Sequence, residues 1–310
     1  MDNFDDNEYA GLIGDLLHDT LYIGISNKGK LGCLRQQAEV LVRKILDIGS
    51  SKQLMLGQVR RNSNNSAVQD GMDNLDDELS DRLIEIVNRI VPLGNDGTHT
   101  QHTDEFSQEE VEGVEDAILD LYALIFIKFF MDIHVNLYSS KEVLWLFSLL
   151  PPVIRYKTWA YLFEKDNNNI QVVDKLCLSI IKFYDKEKAC EWLEDNAGTI
   201  KAIPYPTKEE IEKYDGMHMF EVAPGKYEVR VTLNFDAYDN MYDLLQSKID
   251  APGTSINESG KLYKSFEEAI DHYKKCKNEV MQNCSEEMVT LCSLMDFVYL
   301  GRKSKSEMPS

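Results

Sequence analysis

Residues 34–46 read Leu34-Arg35-Gln36-Gln37-Ala38-Glu39-Val40-Leu41-Val42-Arg43-Lys44-Ile45-Leu46. Leu34, Ala38, Leu41 and Ile45 recur at i, i+4, i+7 and i+11, which draws one apolar stripe along about three turns of helix. Asp47-Ile48-Gly49-Ser50 supplies the stop, with Gly49 suited to a left-handed C-terminal conformation. The same helical period appears on either side. Leu12, Leu16 and Leu17 mark a helix upstream, and Leu83, Val87 and Ile90 mark one downstream that is expected to end near Pro92. The polar run Arg61 to Asn74 lacks a period and reads as an exposed loop.

Further helix starts carry a hydroxyl followed three residues later by a carboxylate, a pair that satisfies free backbone amides. Ser107–Glu110 opens a long helix to about Val135. Ser139–Glu142 opens one that stops at Pro151-Pro152, and Thr207–Glu210 and Ser265–Glu268 open two more. Val173, Leu176, Ile180 and Ile181 indicate a buried helix, with a short companion from Lys188 to Asp195. Beyond Tyr214 the pattern changes. Met219 to Val222 and Tyr227 to Leu233 read as strands joined by a turn at Ala223-Pro224-Gly225-Lys226, a β-hairpin. Helices are expected again at 236–249, 265–282 and 285–299.

The expected fold is therefore mainly α. An N-terminal helical bundle occupies 1–135, a second helical layer 136–214, a small α+β unit with the hairpin 215–300, and a tail 301–310. An alternative lets the long helix run on past 135, joining bundle and second layer as one body.

Composition narrows the function. The 310 residues are 43% hydrophobic and 28% charged, ordinary for a folded chain. The 33 Lys and Arg against 53 Asp and Glu give a net charge of −20, which excludes nucleic-acid binding through whole-protein charge. Charge is also segregated. Residues 28–61 carry eight cations against Glu39 and Asp47, and residues 67–120 carry sixteen carboxylates against Arg82 and Arg89. The acidic N-terminus lacks the order of a signal peptide, and Asp120, Lys128 and Asp132 interrupt the most apolar stretch, 117–135. A cytoplasmic protein that does not engage a membrane is expected. Six scattered cysteines without a CxxC pair suggest reduced, mostly buried thiols.

The helix at 34–46, the turn Leu93-Gly94-Asn95-Asp96-Gly97-Thr98-His99 and the acidic helix start at Ser107 together resemble the HEPN superfamily of helical bundles. The likeness is to its bacterial, defence-associated branch of unassigned function and covers under half the chain. Active members are metal-independent ribonucleases that usually work as dimers and place an Arg a few residues before a His. The resemblance implies His99 as the proton-transfer group on a ribose 2′-hydroxyl, Asn95 beside it, and an arginine holding the phosphorane charge. This chain departs at the costly position, because Gly94 stands where that arginine belongs. The nearest upstream arginine, Arg89, would approach only if 90–94 fold back. Otherwise Asn95 and His99 hold the turn together.

A phosphate path, if present, falls to Arg35, Arg43 and Lys44 on the helix at 34–46. Two groups of potential metal ligands, one at His99, His102, Asp104 and Glu105 and one at His272, Cys276, Cys284 and Cys292, lack a four-ligand spacing. No metal or cofactor is expected, and phosphate-binding, dinucleotide and serine-hydrolase motifs are missing from the sequence. The aromatic set Trp145, Phe147, Tyr156, Trp159, Tyr161 and Phe163 reads as core, with a pocket for a base or peptide as the alternative.

The leading expectation is a defence-associated module without catalysis that self-associates or docks a partner protein. The alternative is a HEPN-type ribonuclease, toxin or effector, with His99 as proton-transfer residue, Arg89 or Arg43 as phosphate clamp, and RNA held on the local basic patch. A third reading is an acidic inhibitor occupying a nucleic-acid site on an enzyme.

Overall fold

The stripe at 34–46 lies inside α2, Asn27–Leu46. Ser26 caps its start by accepting from the Gly29 amide. Its end departs from expectation. Asp47, not Gly49, adopts the left-handed conformation, at φ 53°, and its carboxylate accepts from the Phe4 amide. A short acidic side chain tolerates that region, and the tie to Phe4 fixes it. In this computed structural model the described residues are 3–98, 105–203, 219–223, 226–229, 238–251, 253, 262–280 and 284–307.

The fold is mainly α. Helix α1 spans Asp6–Leu17, α3 Ser66–Asp73, α4 Asp77–Thr98 and α5 Gln108–Asp132. Then follow α6 Lys141–Phe147, α7 Pro152–Lys165, α8 Ile170–Phe183, α9 Lys186–Asp195 and α10 Ala197–Ala202. The last three are α11 Met241–Asp250, α12 Phe266–Val280 and α13 Glu286–Tyr299. Segments Met219–Ala223 and Lys226–Val229 run antiparallel, with Met219 opposite Val229. The turn residues Pro224 and Gly225, and residues 230–237, lie outside the described residues, so the expected β-hairpin unit is not supported as a layer of the fold.

Several expectations need correction. In α1 the buried residues are Tyr9, Ile13, Leu16 and Leu17, while Leu12 is 42% exposed. The loop expected at 61–74 contains α3. Asn65 caps it by accepting from the Ala67 and Val68 amides, and Val68 and Met72, one turn apart, supply its buried face. Helix α4 does not end near Pro92 but continues through it to Thr98. Pro92 forfeits the bond to the Asn88 carbonyl, and its ring crowds that carbonyl. Five buried residues upstream, Leu79, Leu83, Ile86, Val87 and Ile90, anchor the helix against that loss. The backbone of 93–98 is thus helical rather than a turn.

Other starts follow the capping logic. Ser107 and Glu110 cap α5 reciprocally, at 2.8 Å and 3.2 Å. Ser140, one residue later than expected, caps α6 by accepting from the Val143 amide. Pro152 begins α7 after the Pro151 corner. The Thr207–Glu210 start lies outside the described residues.

Two compact units divide the chain. Residues 1–128, 266–274 and 292–310 form the first, and 129–265 and 275–291 the second. In the first unit α2 packs on α4, and its interior is built from Leu31, Leu34, Leu41, Leu83 and Leu121, with a buried hydrogen bond from Gln37 Nε2 to the Tyr122 hydroxyl at 3.0 Å. Residues 301–307, expected as a tail, belong to this unit. Gly301, at φ +71°, lies so close to Gly14 that a Cβ would sit 2.7 Å from the Gly14 Cα. The Arg302 guanidinium lies 3.7 Å from the Phe266 ring centroid and 3.2 Å from the Glu267 carboxylate, and Ser304 is buried. In the second unit α7 packs along α8, and Phe130, Phe147 and Trp159 form an aromatic cluster with centroids 4.6–5.4 Å apart. Phe147 and Trp159 are core, as the sequence suggests. Trp145 is exposed.

Glycine provides a paired test of packing. A Cβ on Gly71 of α3 would meet the Leu46 Cβ and carbonyl oxygen at 2.7 Å, whereas one on Gly113 of α5 meets nothing within 4 Å. Gly71→Ala is therefore expected to lower stability by about 1–3 kcal/mol. Gly113→Ala should raise it by up to ~1 kcal/mol through helix propensity. Denaturant melts of the two variants check both signs.

Candidate functional site

The residues singled out from the sequence are mostly held by their own unit. Arg89 on α4 donates to Asp120 at 2.5 Å and Asp116 at 2.8 Å, both on α5. Arg82, two turns earlier, lies 2.9 Å from Glu85 and 3.8 Å from Asp120. Because α4 stays helical to Thr98, the chain does not fold back between 90 and 94. Arg89 and Thr98 are separated by a rise of about 13 Å along the axis. His99 lies outside the described residues. Asn95 lies in the helical run, and only its backbone is described.

The phosphate-path candidates are occupied too. Arg43 donates to the Gly49 and Lys52 carbonyls at 2.9 Å each, tying down the chain that leaves α2. Lys44 sits 2.7 Å from Asp6, with its ammonium 5.3 Å and 5.0 Å from the Phe4 and Phe297 rings. Arg35 lies 3.9 Å from Glu39, one turn on. Burial raises the Glu39 carboxyl above its ordinary value, opposed by Arg35 and Arg43. The basic and acidic blocks also meet directly, since Arg61 pairs with Asp77 at 2.6 Å and Asp81 at 2.9 Å. Among the described residues no cluster of three or more His, Cys, Asp or Glu could hold a metal, and no helix is long and apolar enough to cross a membrane. None of the six cysteines forms a disulfide, and burial pushes the Cys177 thiol up to about 12.

The second unit contains a cleft of about 530 Å³ formed by α7, α8 and α9. That is the size of an ordinary ligand site. Tyr156 and Phe163 come from α7 and Trp192 from α9, while Tyr184 stands at the end of α8. Leu176 and Ile180 of α8, both buried, make the floor. The rings stand in two edge-to-face pairs: Tyr156 with Tyr184 at 5.3 Å and Phe163 with Trp192 at 5.6 Å. Burial pushes the Tyr156 hydroxyl up to about 12, with Tyr184 and Glu164 adding to the rise. The phenol therefore stays neutral at physiological pH. Exposed Glu164, Glu191 and Asp195 rim the cleft, and the rim's Lys188 is taken by Glu191 at 2.6 Å.

Family models, curated proteins and solved structures all fail to match this chain. The site therefore stands on its own geometry. The sequence supplied half of the cleft's rings, Tyr156 and Phe163. It missed Tyr184 and Trp192, whose signal was two aromatics on a short helix pair flanked by Glu191 and Asp195.

Proposed function

We propose that this chain is a cytoplasmic, defence-associated HEPN-like module without catalysis, which self-associates or docks a partner protein. The observation that carries this reading is the engagement of Arg89 by Asp116 and Asp120. A guanidinium clamped by two carboxylates does not present its charge to a phosphorane, and Gly94 already stands in the usual arginine's place. The fixation of Arg43 and Lys44 supports it further, because a phosphate path needs cations with free donors. The −20 net charge favours a partner with a basic face.

Incubation with a mixed RNA pool in EDTA tests the reading, using wild type, His99→Ala and Arg89→Ala. No cleavage by any of the three is expected. Cleavage by wild type that disappears in His99→Ala would replace the docking module with a metal-independent ribonuclease. Sedimentation velocity on the same wild-type sample checks self-association.

A further inference from the structure

We infer that the aromatic cleft between α7, α8 and α9 is a docking site for a short segment of a partner protein that presents an Arg or Lys beside an apolar side chain. The inference rests on the docking reading above for the occupant being protein.

Three features of the cleft select that chemistry. Its walls are four aromatic rings in two edge-to-face pairs, inclined at 83° for Tyr156 with Tyr184 and 66° for Phe163 with Trp192, while Phe183 stacks on Tyr156 at 5.4 Å. Faces carry the negative end of each ring quadrupole and attract a cation laid over them. Its floor, Leu176 and Ile180, is apolar and takes the methylene stem or a neighbouring aliphatic side chain. Its rim bears Glu164, Glu191 and Asp195 against one cation, a net of −2. With Lys188 closed onto Glu191, Glu164 and Asp195 are placed to meet a charge on the occupant.

The size decides between a lone cation and a segment. A single guanidinium or ammonium leaves most of about 530 Å³ unfilled. A basic residue with an apolar neighbour fills it, and the open rim lets the chain on either side run out. Tyr184, 45% exposed, is the ring such a segment would cover first. Large aromatics left open on a protein surface are the residues that anchor interfaces.

The test is fluorescence anisotropy of labelled, blocked hexapeptides added to the full chain. One peptide alternates leucine and arginine. A second carries citrulline, the uncharged isostere, for arginine, and a third carries serine for leucine. The leucine–arginine peptide is expected to bind at least tenfold tighter than either control. Trp192→Ala should weaken it at least tenfold and Trp192→Phe less than threefold. The double variant Glu164→Gln with Asp195→Asn, at exposed positions, should weaken it about fivefold or more while leaving the melting curve in place. Equal binding of the citrulline peptide, or unchanged binding by the double variant, would overturn the inference. The RNA assay reads the surroundings of Arg89, whereas this titration reads the cleft of the second unit, so a failure of one is distinguishable from a failure of the other.

Discussion

Asp174→Ala is expected to destabilise the second unit by about 3–5 kcal/mol, the cost of stranding one partner of a buried ion pair. Asp174 is 0% exposed on α8. Its Oδ1 accepts a hydrogen bond from Lys248 of α11, and its Oδ2 lies 3.4 Å from Lys175. Burial pushes the carboxyl up, but Lys248 and Lys175 outweigh burial and hold it below the ordinary carboxylate value. The sign follows from that direction. The folded carboxyl releases its proton at lower pH than the unfolded one, so its stabilising contribution is complete above pH about 4 and fades as pH falls through the lower folded value. Acid unfolding of wild type should therefore steepen below pH about 4, and Asp174→Ala should lack that part of the slope. The double variant Asp174→Leu with Lys248→Met should recover most of the loss, because it removes both charges together. Urea melts at pH 7 and pH 3 measure all of this. A loss below about 1 kcal/mol for Asp174→Ala would place the pair in the solvent-screened class.

Lys182→Met is expected to stabilise the same unit by roughly 2–3 kcal/mol at pH 7, against the usual direction of point substitutions. Burial pushes the Lys182 amine down to about 8, and the positive charges of Arg155 and Lys175 push it the same way. In the unfolded chain a lysine titrates near 10.4. The unfolded state thus holds more proton than the folded state between pH about 8 and 10.4, and wild-type stability should rise with pH across that window. At pH 7 both states are protonated and the folded state carries the full penalty, on the order of 3 kcal/mol at 1.36 kcal/mol per pKa unit. Methionine fills the same space without the charge. Its advantage should shrink as pH climbs past 8 and vanish near 10.4. Thermal melts of the two proteins at pH 7, 8.5 and 10 give the comparison. Equal midpoints at pH 7 would mean that water reaches the amine.

What the sequence discloses here is local, and what it hides depends on the third dimension. The cap at Ser107 and Glu110, the corner at Pro151 and the stripe at 34–46 are all readable because cause and effect lie within one turn. Helix α3 was illegible because it has only Val68 and Met72 as its buried period, and its cap, Asn65, looks like one more polar loop residue. Pro92 misled in the other direction, since propensity at one position is outweighed by five buried residues upstream. The fates of Arg89 and Lys44 were also hidden. Their partners Asp116, Asp120 and Asp6 are 27, 31 and 38 positions away, and only the packing of α4 on α5 and of α1 on α2 brings them together. The cleft is the same kind of case, because its four rings are drawn from three helices and converge only in the fold.

The discontinuous make-up of the first unit sets a timetable for synthesis. Its residues up to 128 leave the ribosome early, but the segment that carries Arg302, Gly301 and Ser304 into place follows residues 129–291. At ordinary elongation rates that interval is roughly 10–30 s. Throughout it the first unit lacks Tyr299 and Arg302, two side chains that pack on Phe266. A ribosome stalled anywhere before 292 therefore holds a first unit without its closing segment, and a stall before 275 leaves both units incomplete.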